Sequence, residues 1–244
     1  MANQSSKNKS RIVLLIIVIL PSMFYVMMTA GKHNMLYLPQ VVSTNNGFQL
    51  DRTNKLFHDS LNHQLALPDV LYTNLETNKT QALSQLDSKI YALQFVEMDS
   101  LSGLDLALFY KTETQLAERL LPFEDIELLT IWRSPQAKAM YHQAKAELSH
   151  QSFTSWTHIS IDTSSFDLIK NQAFISPIVQ RNLNHQRLVT IVDKQFGFRA
   201  GIDKHNKEKD LFCYDIGREY EIKLLLEDLK VLLAEEHKAL KSKE

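Results

Sequence analysis

Residues 12–30, from Ile12 to Ala30, are nineteen consecutive positions without a charged side chain. A helix needs about twenty apolar residues to cross a bilayer core. This stretch therefore predicts a membrane anchor and divides the chain into a short tail and a larger outer domain. Lys7, Lys9 and Arg11 precede it, and no acidic residue occurs before Asp51. Positive flanks stay on the cytoplasmic side. The expected layout is a cytoplasmic tail over 1–11, a single transmembrane helix over 12–30 and everything else outside. In a bacterium that is the inner membrane, with the main domain in the periplasm. Pro21 and Ser22 interrupt the span, which membrane helices tolerate. The alternative is a cleaved signal peptide, but cleavage after Ala30 would put Met28 where a small residue is wanted.

The outer part has the make-up of one globular domain. The whole chain has 244 residues, with 27 Lys and Arg against 28 Asp and Glu. Residues 1–30 hold three of the basic groups and none of the acidic ones, which leaves the rest mildly acidic. Such a balance carries no electrostatic footprint for nucleic acid. One cysteine excludes an internal disulfide and any multi-cysteine zinc or iron–sulfur site. Six glycines argue against a glycine-rich phosphate loop. Residues 31–66 are polar, rich in Asn, Gln and His, and weakly periodic, and read as a tether. Residues 67–238 form the patterned domain, and 239–244 a charged tail.

Within that domain the pattern alternates. Asp69–Asn74 reads as a short strand. Lys89–Glu97 (KIYALQFVE) is apolar and β-rich at strand length, as for a buried central strand. Leu104–Leu121 has helical spacing, and Glu127–Trp132 is a second buried strand. Ser134-Pro135 predicts a helix start, with Ser at the cap and Pro first in the helix, running to about Leu148. Trp156–Ile161 reads as a strand, with a helical turn or two over Ser164–Lys170. Arg187–Asp193 and Gln195–Asp203 read as two strands joined by a tight turn at Lys194. A final helix opens at Asp215 or Ile216, with Leu225, Leu229, Leu232 and Leu233 on one face and Glu219–Lys223 as an i,i+4 pair. A helix-separated parallel pair, then a hairpin and a closing helix, is a thioredoxin-like α/β arrangement: a central mixed sheet flanked by helices.

Three stretches give this pattern a more specific likeness. They are Leu67-Pro68-Asp69 through Lys89-Ile90-Tyr91, Trp156 through Asp162, and His185 through Asp203 (HQRLVTIVDKQFGFRAGID). In order and spacing they resemble the SCO/SenC family, membrane-anchored copper proteins that assist assembly of the copper site of cytochrome c oxidase. His185, Asp193, Arg199 and Asp203 fall on matching positions. Gly31-Lys32-His33 and Leu38-Pro39 after the anchor are also similar to bacterial members. The resemblance covers most of residues 11–235.

The departures fall on the chemistry. The resemblance implies a Cys-x-x-x-Cys copper pair after the first central strand and a distal His. Here the strand runs out through Glu97-Met98-Asp99, and the cysteine positions hold Ser100 and Leu104, with Leu101 and Asp105 beside them where prolines are usual. Trp132-Arg133-Ser134-Pro135 stands where an Asp-Pro pair is usual, and Phe196 replaces a turn glycine. His185 keeps the distal ligand position, and is expected to be vestigial. Cu(I) is held by soft thiolates; Ser is a hard oxygen donor and Leu donates nothing. A dithiol cycle needs two thiols. The expected metal site is therefore degenerate, with no cofactor and no catalytic constellation.

Other constellations are weaker. Cys213, the sole thiol, could join His185 and Met98 in a replacement copper site, or be a small buried hydrophobe between Phe212 and Tyr214. A one-Cys thiol oxidoreductase at Cys213 would need an activated thiolate, and Asp210 and Asp215 stand nearby. His58 and His63, with Asp51 and Asp59, lack the three- or four-residue spacing of one helix face. Ser100 and Ser102 with His185 have no nucleophile elbow around them. Asn78-Lys79-Thr80 matches a glycosylation acceptor. The expected function is a non-catalytic, membrane-anchored SCO/SenC-like assembly or interaction factor. Its expected partners are cytochrome c oxidase subunits or an intact family member.

Overall fold

The computed structural model describes residues 38–44, 47–51, 65–97, 103–133, 135–147, 155–174, 185–202 and 210–241. The predicted tail and anchor over 1–30, His58, Asp59, His63, Met98, Ser100, Leu101, Ser102, Ser134, Asp203 and residues 242–244 lie outside them. No helix among the described residues is long and apolar enough to cross a membrane.

The central sheet is built on the most apolar run of the domain. The strands are β1 (Gln40–Thr44), β2 (Gly47–Asp51), β3 (Leu71–Asn74), β4 (Thr80–Ala82), β5 (Ile90–Val96), β6 (Ile126–Arg133), β7 (Trp156–Ile161), β8 (Leu188–Val192), β9 (Phe198–Arg199), β10 (Gly201–Ile202), β11 (Asp210–Leu211) and β12 (Tyr214–Asp215). Every residue of β5 is buried. Its neighbours are β6, parallel, and β8, antiparallel. The order across the main sheet is β2-β1-β9-β8-β5-β6-β7-β3-β4, with β12 also pairing with β8. A parallel β5–β6 pair joined by a helix, followed by the antiparallel β8–β9 pair, is the thioredoxin-like core.

Among the described residues, four helices cover the sheet. Helix α1 covers Gly103–Thr112 and continues through a π-turn at Glu113–Ala117 to Glu118–Leu120. Helix α2 spans Ala137–Glu147, α3 Thr163–Ala173 and α4 Glu219–Lys241. Alternation along the strands makes two cores. One gathers Ile90, Ala92, Leu128 and Trp132 with Phe109, Tyr141, Leu225 and Leu229. The other gathers Leu93, Phe95, Leu129 and Ile131 with Phe166 and Ile169 of α3. Asp162 caps α3, accepting from the N–H groups of Ser164 and Ser165, both at 3.0 Å; those bonds hold its carboxyl far below the ordinary range.

Several expectations shift. Helix α2 begins at Ala137 rather than at Pro135, which sits in a turn. The final helix begins at Glu219, because Tyr214 and Asp215 pair with Val189 and Leu188 as β12 before the chain turns. The predicted strand over 195–203 is broken at Ala200, and β12 resumes the edge that β9 leaves. Part of the predicted tether, 31–66, forms the β1–β2 hairpin, with Gln40 pairing to Arg199. Its polar composition hides this: among the described residues of that stretch, Leu38 and Val41 are buried in the cores, and Leu50 and Leu65 pack against one of them.

Candidate functional site

The site end of a thioredoxin-like sheet lies where β5 stops and β8 starts. Here a buried polar row runs to that end. Gln94, Thr130 and His158 are in register across β5, β6 and β7. Trp156 Nε1 donates to Thr130 Oγ1 at 2.8 Å, and Thr130 Oγ1 donates to Gln94 Oε1 at 3.3 Å. Gln94 Nε2 donates to the Gln186 carbonyl at 3.1 Å, and Gln186 Nε2 donates back to the Glu97 carbonyl at 2.9 Å. These two bonds fasten the turn His185–Arg187 to the end of β5. The backbone at His185 is thus held beside the root of the segment that carries Ser100 and Leu104. Leu104 itself lies in the first turn of α1.

Around that root the side chains are charged. Glu97 accepts from Arg133 of β6 and from Lys170 of α3. Arg133 also approaches Asp167 at 3.8 Å. Arg187 grips Asp215 with two bonds of 3.0 Å. The cluster ties together β5, β6 and α3. Its donors are hard oxygens and permanent cations, a poor match for a soft metal ion.

The sequence-nominated sulfur stands elsewhere. The register sets Cys213, just before β12, opposite Thr190, and Thr190 Oγ1 donates to the Phe212 carbonyl at 3.0 Å. Cys213 is buried and belongs to the apolar cluster with Leu188 and Phe198. His185 is five residues back along β8 and its preceding turn. At about 3.3 Å per strand residue and 2 Å per 3₁₀ residue, that is on the order of 12 Å of chain. Among the described residues, no group of three or more His, Cys, Asp or Glu is placed to hold a metal ion. Asp51 lies on β2 at the sheet edge. Asn78 is an exposed turn residue with φ of 55°.

Two of the positions shared with the resembled family serve the interior. Asp193 accepts from the N–H groups of Gln195 and Gly197, closing the β8–β9 turn. Phe196 in that turn has φ of 63°, the left-handed region that favours glycine. Arg199 pairs with Asp193 and Glu235.

His158 is the residue that sequence reading passed over. Its ring lies 4.6 Å from Trp156 and 4.7 Å from Tyr141, and Trp132 Nε1 donates to its Nδ1 at 3.2 Å. Burial pushes the imidazole down to about 3, so the ring is neutral. Beside it Glu76 accepts from Tyr141 Oη and Lys145 Nζ, both at 2.9 Å. Burial pushes Glu76 up, but these bonds outweigh it and hold its carboxyl below the ordinary value. The only trace in the sequence is aromatic crowding on alternate positions of β7.

No family model matches the chain, and no curated protein matches it. Solved structures do. BsSco, a member of the Sco family of cytochrome c oxidase assembly proteins, is 14% identical, covering 69% of this chain and 94% of its own, with a TM-score of 0.49. Bradyrhizobium japonicum ScoI with copper bound is 12% identical, covering 69% of this chain and 99% of its own, at 0.42. The soluble domain of a Bacillus subtilis Sco protein is 13% identical, covering 66% and 89%, at 0.42.

The fold is thioredoxin-like. The strand order itself carries that assignment.

Proposed function

We propose that this chain is a membrane-anchored SCO/SenC-like protein acting by contact. In this reading it is a non-catalytic assembly or interaction factor for cytochrome c oxidase or its copper machinery. The observation that carries the reading is the pinned turn at His185. Gln94 and Gln186 keep it against the end of β5, which supports reading this end as the place that corresponds to the resembled family's site. Meanwhile Ser100 and Leu104 occupy the positions where the resembled family has its thiols. A scaffold kept without its ligands suits recognition of a partner better than carriage of an ion.

Residues 12–30 would hold the domain at the outer face of the inner membrane, which raises its effective concentration near membrane partners. Those partners would be oxidase subunits or an intact relative. The overall acidic balance of residues 31–244 leaves nucleic acid out of the reading.

A Cu(I) competition titration of the full-length chain tests it, with a Ser100→Cys/Leu104→Cys variant beside it. The expected result is no tight copper in the natural chain and one tightly held copper in the variant. Tight copper in the natural chain overturns the degenerate-site reading in favour of replacement ligands. Mild crosslinking in membranes should then enrich an oxidase subunit or an intact relative, and enrichment of neither would sink the contact role.

A further inference from the structure

Four ionisable side chains meet where the first described residues, β9 and α4 come together. Arg199 is 2% exposed, and its Nη2 donates to Glu235 Oε2 at 2.6 Å. Its Nε lies 3.4 Å from Asp193 Oδ2. The other oxygen of Glu235 accepts from the Leu38 N–H at 2.5 Å. Glu236, next along α4, is 6% exposed, and its Oε1 has no hydrogen-bond partner.

Three carboxyl groups therefore face one guanidinium. The surrounding charges bond elsewhere, although the Lys194 cation also pulls on Glu236 from a distance. Lys194 reaches Asp125 at 3.1 Å, His237 faces the same Asp125, and Asp228 accepts from Tyr214 Oη at 2.7 Å. Gln195 contributes only a neutral amide toward Glu236. Fully ionised, the cluster would bury a net charge of −2, which a low-dielectric interior opposes. The cheapest relief is to retain a proton.

The same atoms hold the start of the domain. Leu38 is buried in the core, Ala200 N–H donates to the Pro39 carbonyl at 3.0 Å, and Gln40 pairs with Arg199. We propose that Glu235 is a proton-operated clasp on the segment Leu38–Gln40. The closed clasp carries a proton that the open one releases. Acid fastens this segment to α4 and β9, and alkali loosens it.

The direction follows from linkage. Burial pushes Glu235 up to about 7, against the pull of Arg199, and burial also raises Glu236. Once the segment opens, water reaches Glu235 and its carboxyl returns to the ordinary range. A group raised in the closed state favours closing at low pH, and that contribution is lost as pH rises to about 7. This device is independent of the proposed function, because it needs neither a metal nor a partner.

Hydrogen exchange at the Leu38 amide tests it, in the full-length chain in detergent, from pH 5 to 8.5, corrected for the intrinsic rate. Protection should fall with rising pH by up to about tenfold per unit below pH 7, then level off. Glu235→Gln should diminish that dependence, and Glu235→Gln/Glu236→Gln should flatten it. A flat profile in the natural chain, or an undiminished slope in Glu235→Gln, overturns the clasp. Should Glu235→Gln fail to fold, carbon NMR of the natural chain decides. A Glu235 carboxyl titrating near 7 supports the clasp, and one titrating in the ordinary carboxylate range overturns it.

Discussion

Trp132 Nε1 donates to His158 Nδ1 across 3.2 Å, from β6 to β7. That bond fixes the tautomer: Nδ1 is the acceptor, so the proton sits on Nε2. It also explains how a histidine lives inside the sheet, since its neutral ring is held among Trp132, Tyr141 and Trp156.

This histidine makes stability fall in acid. Its folded value, about 3, lies below the ordinary one. The unfolded chain therefore binds more protons between about pH 3 and 6.5. The stability it contributes is fully present above 6.5 and is lost as pH falls toward 3. Thermal melts from pH 7 to 4 should show this decline, and His158→Gln should lose part of it. The variant should also be less stable at pH 7 by about 1–3 kcal/mol, because the ring packed among Trp132, Tyr141 and Trp156 is lost. Equal pH slopes in the two proteins would refute the account.

Glu97 bridges Arg133 and Lys170 at the site end, yet all three are partly open to water. Glu97→Gln should cost no more than about 1 kcal/mol in a denaturant melt. A much larger loss would mean that the cluster holds the site end together by more than surface ion pairing.

Phe196 adopts a glycine conformation and stacks on Tyr91 at 6.4 Å. Truncation to Ala removes the stacking and keeps the backbone strain. Truncation to Gly removes both. Phe196→Gly should therefore be more stable than Phe196→Ala by about 1 kcal/mol, the reverse of the usual order at an extended position. Urea midpoints of the two variants check it.

Gly201 touches the core where Tyr214 bonds to Asp228. A Cβ there would lie 1.9 Å from Tyr214 Oη and 2.5 Å from Asp228 Oδ2. Both side chains are buried, so neither can move into solvent. Gly201→Ala should destabilise by about 1–3 kcal/mol, with the Tyr214–Asp228 bond broken or displaced. An unchanged melting temperature would show that the pair can give way.

What sequence could establish depended on locality. The apolar run ending at Val96, the alternation from Trp156 to Ile161 and the leucine face of α4 each state their own burial. Strand length and helical period follow from that directly. The fold class was therefore legible from the chain alone.

Tertiary structure decided the rest, because a polar residue in a core is stable only when distant chain supplies its partner. Nothing near Glu235 in sequence announces Leu38 or Arg199, and nothing near His158 announces Trp132. The β1–β2 hairpin is hidden for the same reason: its pairing with β9 comes from residues some 160 positions away. Asp215 or Ile216 reads locally as the helix start, but the open edge of β8 claims Tyr214 and Asp215 as β12. Local pattern set which faces turn inward, and long-range pairing set what they meet there.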